Sequence, residues 1–183
     1  MELHLIRHPQ PDIPPGVCYG QSDIGLLEPA AVAASRLRPL LPAEFLLFAS
    51  PLMRARQLAD ELGTPVLDDR LKEISFGDWE LRRFDDIGLS LDDWAKDFMG
   101  FSAPGGESVR DLAARVTNWF EELSDSPPDL PVVIVAHGGP LRVIAGHLLG
   151  VPTEKWMGLD FACAHTTRID CESWGTLLKW FNR

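Results

Sequence analysis

Two histidines stand directly after apolar runs of the sequence, where an imidazole could take part in catalysis. His8 ends the run LHLIRH, and His137 ends the run VVIVAH. Ligands of open α/β sheets bind beyond the carboxyl ends of the strands, so two neighbouring strands would bring both rings over one crevice. A neutral imidazole with one free nitrogen can act as a nucleophile, which makes these histidines candidates for covalent catalysis.

Anion-binding groups accompany the two histidines. Arg7 precedes His8, and Arg54 falls in the first turn of a helix that the sequence predicts to begin at Ser50 as N-cap, with Pro51 in its first position. Gly138 lies in the segment HGGP, where a helix N-terminus would follow a strand and favour a phosphate. Guanidinium groups suit phosphate oxygens, and their charge would keep a nearby imidazole neutral. The set therefore predicts a phosphate pocket with a nucleophilic histidine.

A leaving alkoxide needs a proton, and the segment LKEISFGDWE supplies three carboxyl groups. The candidates are Glu73, Asp78 and Glu80, and the residue pattern does not choose among them. Phosphoryl transfer of this kind requires no metal, and the sequence lacks an HExxH motif, so we expect neither a metal nor a cofactor.

The remaining sequence predicts the elements that position these groups. Strands are expected over 2–6, 44–50, 64–69, 131–136, 161–171 and 173–182, and helices over 29–41, 50–62, 107–123 and after HGGP. Because strands alternate with helices and the main strands are continuously apolar, we predict an α/β fold with a mostly parallel central sheet and helices on both faces. The 183 residues predict a single domain, 1–183, with a small inserted lid at about 80–104.

Composition excludes several classes of partner. The net charge of -10 argues against nucleic-acid binding and against docking on anionic membranes. Three widely spaced cysteines without a CxxC pair indicate reduced thiols, and the N-terminus lacks a secretory signal, so we expect a cytoplasmic protein. The expected partner is a small phosphorylated metabolite, and a homodimer is left open.

Five segments together resemble one known family. LIRHPQP, SPLMRARQLA, LKEISFGDWE, PGGES and VAHGGPLR occur in the order typical of the histidine phosphatase superfamily, also called phosphoglycerate mutase-like. The resemblance spans roughly residues 3 to 150. Within the family the chain is most similar to bacterial alpha-ribazole phosphatases of cobalamin biosynthesis, in the stretch GVCYGQSDIGL and in its short middle segment.

The resemblance implies a role for each matching residue. His8 matches the nucleophile that becomes phosphohistidine, and Glu73 matches the general acid that later activates water. His137, Arg7 and Arg54 match residues that hold the phosphoryl group, with Gly138 on the phosphate side. Gly20 and Gln21, with Ser22 beside them, match a loop that flanks the substrate. The implied activity is a metal-independent phosphomonoesterase, with alpha-ribazole 5'-phosphate as the expected substrate.

Two positions depart from the family pattern. The glycine that usually follows the nucleophile is Pro9, and an asparagine often found six residues after it is Pro14. Pro9 keeps a carbonyl that can accept a hydrogen bond and biases His8 toward extended backbone angles, so we expect it to be compatible with catalysis. Gln21 or Ser22 would replace the asparagine, or its contribution to phosphate binding would be missing.

Other functions stay open at this point. They are a broad-specificity phosphatase, a phosphoglycerate mutase-type phosphotransferase, a metallohydrolase and a non-catalytic phospho-ligand binder. The short middle segment favours hydrolysis over a mutase, which needs a site that excludes water. Contacts of Trp94, Phe98, Glu107 and His165 with substrate are also open, whereas His4 and His147 are expected to be structural.

Overall fold

The computed structural model describes residues 1–88 and 90–183, and six strands in it form one sheet. The strands are β1 (Glu2–Arg7), β2 (Leu46–Ala49), β3 (Val66–Leu67), β4 (Val132–Ala136), β5 (Thr166–Glu172) and β6 (Gly175–Trp180). Their order across the sheet is β3-β2-β4-β1-β5-β6; the first four are parallel, and β5 is antiparallel to both of its neighbours, β1 and β6. The predicted α/β fold with a mostly parallel central sheet is confirmed.

Helices cover both faces of the sheet, as predicted. The helices are α1 (Ala30–Leu37), α2 (Met53–Leu62), α3 (Phe84–Ile87), α4 (Ser90–Lys96), α5 (Val109–Asp125) and α6 (Gly138–Leu148), of which α1, α2, α5 and α6 pack on the sheet. Alternate residues of β4 enter opposite cores: Ile134 packs with α5 and α6, whereas Val133 and Val135 pack with α1 and α2. Burial on both faces explains why the central strands are continuously apolar.

The beginning of α2 differs from the prediction. Its N-cap is Leu52, and neither Ser50 nor Pro51 belongs to the helix, so the predicted Ser50 cap is wrong. The carboxylate of Asp23, far away in the chain, instead accepts the Met53 N–H at 2.8 Å. Arg54 nevertheless stays in the first turn of the helix.

The long amphipathic helix α5 starts as the sequence predicts. The Ser108 hydroxyl accepts the Asp111 N–H, and the Asp111 carboxylate accepts the Ser108 N–H, which completes a capping box. From its apolar spacing the sequence predicts an inner face of Val109, Leu112, Val116, Phe120 and Leu123; the first four are buried, Leu123 is only partly buried, and Trp119 is buried in addition.

The predicted lid segment, 80–104, holds α3 and α4, and residue 89 within it lies outside the described residues. Ile87 and Ala103 of this segment pack with Cys18 and Trp79 in a small core separate from the two cores of the sheet. The function of the segment as a lid stays a prediction.

No helix in the described part of the chain is both long enough and apolar enough to cross a membrane.

Candidate active site

His8 and His137 lie side by side where β1 and β4 end. The two strands pair in parallel with Arg7 opposite Ala136, and the His8 N–H donates to the Ala136 carbonyl at 3.0 Å. The two imidazole centroids are 5.0 Å apart. The expectation that neighbouring strands bring both rings to one edge of the sheet is met by this register.

The ring of His8 has one nitrogen engaged. Its side chain is buried, and Nδ1 lies 2.6 Å from the Pro9 carbonyl, which can only accept. Nδ1 therefore carries the proton, and Nε2 keeps a free lone pair. Burial, followed by the charge of Arg54 and then that of Arg7, lowers the pKa of His8 to about 3, although the bond to Pro9 opposes them. The ring is neutral, as the sequence predicts, but burial contributes more than the arginines.

His137 is fully buried and is oriented by Ser50 at the end of β2. Nε2 of His137 lies 2.7 Å from the Ser50 hydroxyl, which also accepts the Leu52 N–H. The hydroxyl can then donate its own proton to Nε2, which leaves the ring proton on Nδ1. Burial and the neighbouring His8 and Arg54 lower the pKa of His137 well below its usual value, so this ring is neutral too.

Arg54 is a buried guanidinium held by backbone carbonyls. Its terminal nitrogens donate to the carbonyls of Gly20 and Ser22, and its Cζ lies 5.4 Å from the ring centre of Tyr19. The side chain has no exposed surface. The structure thus brings Arg54 next to His8 as predicted, while its direct contact with a phosphoryl group stays a prediction.

Glu73 binds the N-terminus of α6. Both carboxylate oxygens lie 3.1 Å from the Gly139 nitrogen, and one also accepts the Ile74 N–H at 3.0 Å. A Cβ at residue 139 would overlap this carboxylate, so glycine is required for the close approach. At the helix N-terminus that the sequence predicts to bind a ligand, the Gly139 N–H is therefore donated to the Glu73 carboxylate.

Glu80 has a different role from Glu73. Its carboxylate accepts the backbone N–H groups of Gly20, Gln21, Ser22 and Phe76, together with the Ser22 hydroxyl. Burial raises its pKa, but these hydrogen bonds outweigh burial and lower the pKa overall. Glu80 therefore fixes the loop whose carbonyls hold Arg54.

The loop 20–22 turns toward the protein and not toward open space. The Gln21 amide donates to the Glu73 carbonyl at 3.0 Å, and the Ser22 hydroxyl donates to Glu80 at 2.6 Å. Neither side chain lines the cavity described below. A substrate contact of Gly20, Gln21 or Ser22, or a replacement for the asparagine missing at Pro14, stays a prediction.

Arg115 and Glu107 hold the backbone that carries Glu73. The Arg115 guanidinium donates to the carbonyls of Arg70, Lys72 and Glu73 and pairs with Glu107 at 2.8 Å. Glu107 also accepts the Ser75 N–H at 2.9 Å. Glu107 is thus engaged within the protein, and a contact of its side chain with substrate stays open.

A cavity of about 240 Å³ opens beside these groups. The charged and polar part of its lining includes Arg7, His8, Glu73 and Arg142. The apolar part consists of the indole, phenyl and aliphatic side chains of Trp94, Phe98, Val109, Leu112, Val143, Trp156 and Met157. Trp94 and Phe98, which the sequence singles out, both line it.

Several buried nitrogens around His8 have no hydrogen-bond partner among the described residues. They are Nε of Arg7, Nε of Arg54 and Nδ1 of His137. Buried polar atoms are ordinarily paired, so this cluster of potential donors is suited to an anion with several oxygens.

The other histidines lie away from the cavity lining. His4 is buried and pairs with Glu2 at 2.7 Å, whereas His147 and His165 are exposed on α6 and before β5. In the described part of the chain, no group of three His, Cys, Asp or Glu side chains is arranged to hold a metal ion.

Some residues at this site were not predicted from the sequence. Tyr19 and Gly139 line the cavity, and Ser50 orients His137. Ser50 follows a strand parallel to β1 and β4, so the rule on strand ends could have found it. Gly139 belongs to the HGGP segment that the sequence already indicates, whereas Tyr19 carries no signal that a single sequence offers.

The fold, the paired neutral histidines and the surrounding guanidinium groups define a phosphoryl-transfer enzyme. The family model described as histidine phosphatase superfamily (branch 1) matches residues 3–183, and the chain belongs to this superfamily. The resemblance seen in the sequence is confirmed, and the chain is a phosphatase of this family.

The relatives of this chain are named after different substrates. The chain is 31% identical to a putative phosphoserine phosphatase 2 of Hydrogenobacter thermophilus, over 99% of this chain and 95% of that protein. It is 34% identical to a glucosyl-3-phosphoglycerate phosphatase of Mycobacterium tuberculosis, over 86% of this chain and 79% of that protein. The crystal structure of the alpha-ribazole phosphatase from Shigella flexneri superposes with a TM-score of 0.91 at 26% identity, covering 100% and 96% of the two chains.

Proposed function

We propose that this phosphatase hydrolyses phosphomonoesters without a metal, through a phosphohistidine on His8, and that its substrate is alpha-ribazole 5'-phosphate. The observation that carries the mechanism is the state of His8. Its Nδ1–H is donated to Pro9, and its pKa is lowered to about 3, so Nε2 is an unprotonated nucleophile near neutral pH.

In the first step, Nε2 of His8 attacks phosphorus, and the bond between phosphorus and the leaving oxygen breaks. Glu73, which lines the same cavity, gives its proton to that oxygen. Arg7, Arg54 and His137 stabilise the charge on the other phosphoryl oxygens.

In the second step, water attacks the phosphohistidine and gives its proton to Glu73. The phosphorus–nitrogen bond breaks, inorganic phosphate forms, and both His8 and Glu73 return to their starting states. Pro9 supports this cycle because its carbonyl accepts the Nδ1 proton, a bond that needs no N–H at residue 9.

The apolar part of the cavity lining supports the choice of substrate. Trp94, Phe98, Trp156 and Met157 would face the leaving group and suit an aromatic base such as that of alpha-ribazole. Phosphoserine and glucosyl-3-phosphoglycerate, which give two relatives their names, offer no aromatic ring to this lining. We place the reaction in the cytoplasm, with a small phosphorylated metabolite as partner.

A substrate panel tests both parts of the proposal. Alpha-ribazole 5'-phosphate should give the highest kcat/KM among itself, phosphoserine, glucosyl-3-phosphoglycerate and 3-phosphoglycerate. His8→Ala should abolish turnover of every member, and turnover should survive EDTA. Loss of activity in EDTA with recovery on added metal would favour a metallohydrolase, and phosphoryl transfer from one phosphoglycerate position to another would favour a mutase.

Two variants test the apolar part of the lining. Phe98→Ala should lower kcat/KM for alpha-ribazole 5'-phosphate by roughly tenfold and change that for phosphoserine little, since only the former stacks on the ring. Phe84→Ala, from the same segment but outside the cavity lining, is the matched control. Equal loss on both substrates in Phe98→Ala would contradict an aromatic leaving group, and similar rates across the whole panel would indicate a broad-specificity phosphatase.

A further inference from the structure

We propose that Arg142 is a substrate-binding residue that, together with Arg7, contacts the phosphoryl group from the cavity side; the role rests on the proposed function. Arg142 stands on α6 and lines the cavity with His8 and Glu73. A structural ion pair with a carboxylate is the simpler role for such an arginine. The contacts that Arg142 makes within the protein decide between this role and phosphoryl binding.

Among the described residues, the partners of Arg142 leave most of its N–H donors unused. Its Nε donates to the Leu159 carbonyl at 3.0 Å. The nearest carboxylate oxygen with which it pairs, on Asp160, is 4.0 Å away, and Asp160 is 87% exposed. An exposed pair at that distance contributes little, so Asp160 does not account for the position of a side chain that is only 19% exposed.

The geometry around Gly138 brings the guanidinium groups of Arg142 and Arg7 together. A Cβ placed on Gly138 would lie 3.7 Å from the Cζ atoms of both arginines and 3.0 Å from a terminal nitrogen of Arg142. The two Cζ atoms are therefore at most twice 3.7 Å apart. Two guanidinium groups that face one space from this distance can share a phosphoryl group.

Arg54, by contrast, has a backbone hydrogen bond on each terminal nitrogen. These nitrogens donate to the carbonyls of Gly20 and Ser22, and the side chain is fully buried. Arg7 and Arg142 are the arginines that line the cavity in the described part of the chain. A phosphoryl group entering from the cavity would meet these two first.

The charges of the site point the same way. Burial lowers the pKa of the Arg142 guanidinium, Glu73 opposes that effect, and Arg7 adds to it. Two cations converging in a partly buried space gain from an anion between them. A phosphoryl group supplies that anion and accepts the unused N–H groups.

Binding of inorganic phosphate, measured by calorimetry, tests this role without any turnover. Arg142→Gln should raise the Kd for phosphate by roughly tenfold or more, since a charge-assisted hydrogen bond is lost. Arg142→Lys keeps the charge but loses the planar guanidinium, so its Kd should lie between those of the unaltered protein and of Arg142→Gln. Asp160→Asn should stay within about twofold of the unaltered protein, because the exposed pair contributes little.

The matched control is Arg56→Gln, which removes an exposed arginine on α2 away from the cavity. A Kd for Arg142→Gln equal to that of Arg56→Gln would overturn the proposal. If Arg142→Gln melts too early to measure, an unchanged Kd in Arg142→Lys would overturn it instead. Absence of turnover of every phosphomonoester in the unaltered protein would refute the proposed function and leave this binding result standing.

Discussion

Gly139→Ala should displace Glu73 and slow the chemistry that depends on proton donation. A Cβ at this position would overlap Oε1 of Glu73 and would lie 3.2 Å from its Cδ. The same Cβ would lie 3.0 Å from Leu112 Cδ2, so the added methyl group has no free space on that side and the Glu73 carboxylate must move. We therefore expect a displacement of about 1 Å, enough to lower the rate by about 100-fold.

The leaving group separates this effect from general damage. An alkyl phosphate needs a proton on its leaving oxygen, whereas p-nitrophenolate leaves without one. Because kcat/KM reports the step in which the leaving group departs, it should fall by about 100-fold for an alkyl phosphate and by much less for p-nitrophenyl phosphate. The Kd for inorganic phosphate should change little, since the arginines stay in place.

Gly25→Ala is the matched control, because a Cβ there would meet nothing within 4 Å. Thermal unfolding of both variants should stay close to that of the unaltered protein, since alanine is favoured over glycine within α6 and a Cβ at residue 25 lies in open space. Equal losses of kcat/KM on the two substrates, or no loss on either, would refute the assignment of Glu73 as the proton donor.

Two further predictions concern the groups around His8. Glu80→Gln should destabilise the fold by about 2 kcal/mol and reduce phosphate binding, because an amide NH₂ then faces N–H donors of the loop that holds Arg54. Urea unfolding measures this loss, with Asp78→Asn at an exposed position as the control. Equal stabilities of the two variants would contradict the prediction. Stability should also fall as the pH drops below 6.5, because the unfolded His8 takes up a proton while the folded ring stays neutral down to about 3. By about pH 4 this amounts to about 3 kcal/mol from His8, and His8→Gln should lose that part of the pH dependence; an unchanged slope would contradict the buried neutral ring.

The central pair of histidines could be predicted from the sequence because it depends on strand ends alone. Continuously apolar runs before His8 and His137 indicate parallel buried strands, and parallel strands bring their carboxyl ends to one edge. The capping box of α5 was equally local, since Ser108 and Asp111 are three residues apart. Where a signal lies within one turn or one strand, the sequence is sufficient.

Interactions between distant segments could not be predicted in this way. Ser50 before Pro51 is typical of an N-cap, yet Asp23 caps α2 and Ser50 is free to bind His137. Glu73 and Glu80 belong to one short segment, and the short helical turn at 77–79 between them decides that one faces the cavity and the other the loop. Such choices depend on tertiary packing, which residue types and spacing do not encode.

Trapping the covalent intermediate tests the central claim most directly. The protein is mixed with substrate labelled in its phosphoryl group, quenched within the first turnover and analysed for label bound to protein. The account predicts an acid-labile, base-stable phosphoprotein with the label on His8, and none in His8→Ala. Label on another residue, or release of phosphate at full rate with no labelled protein at any time, would contradict it.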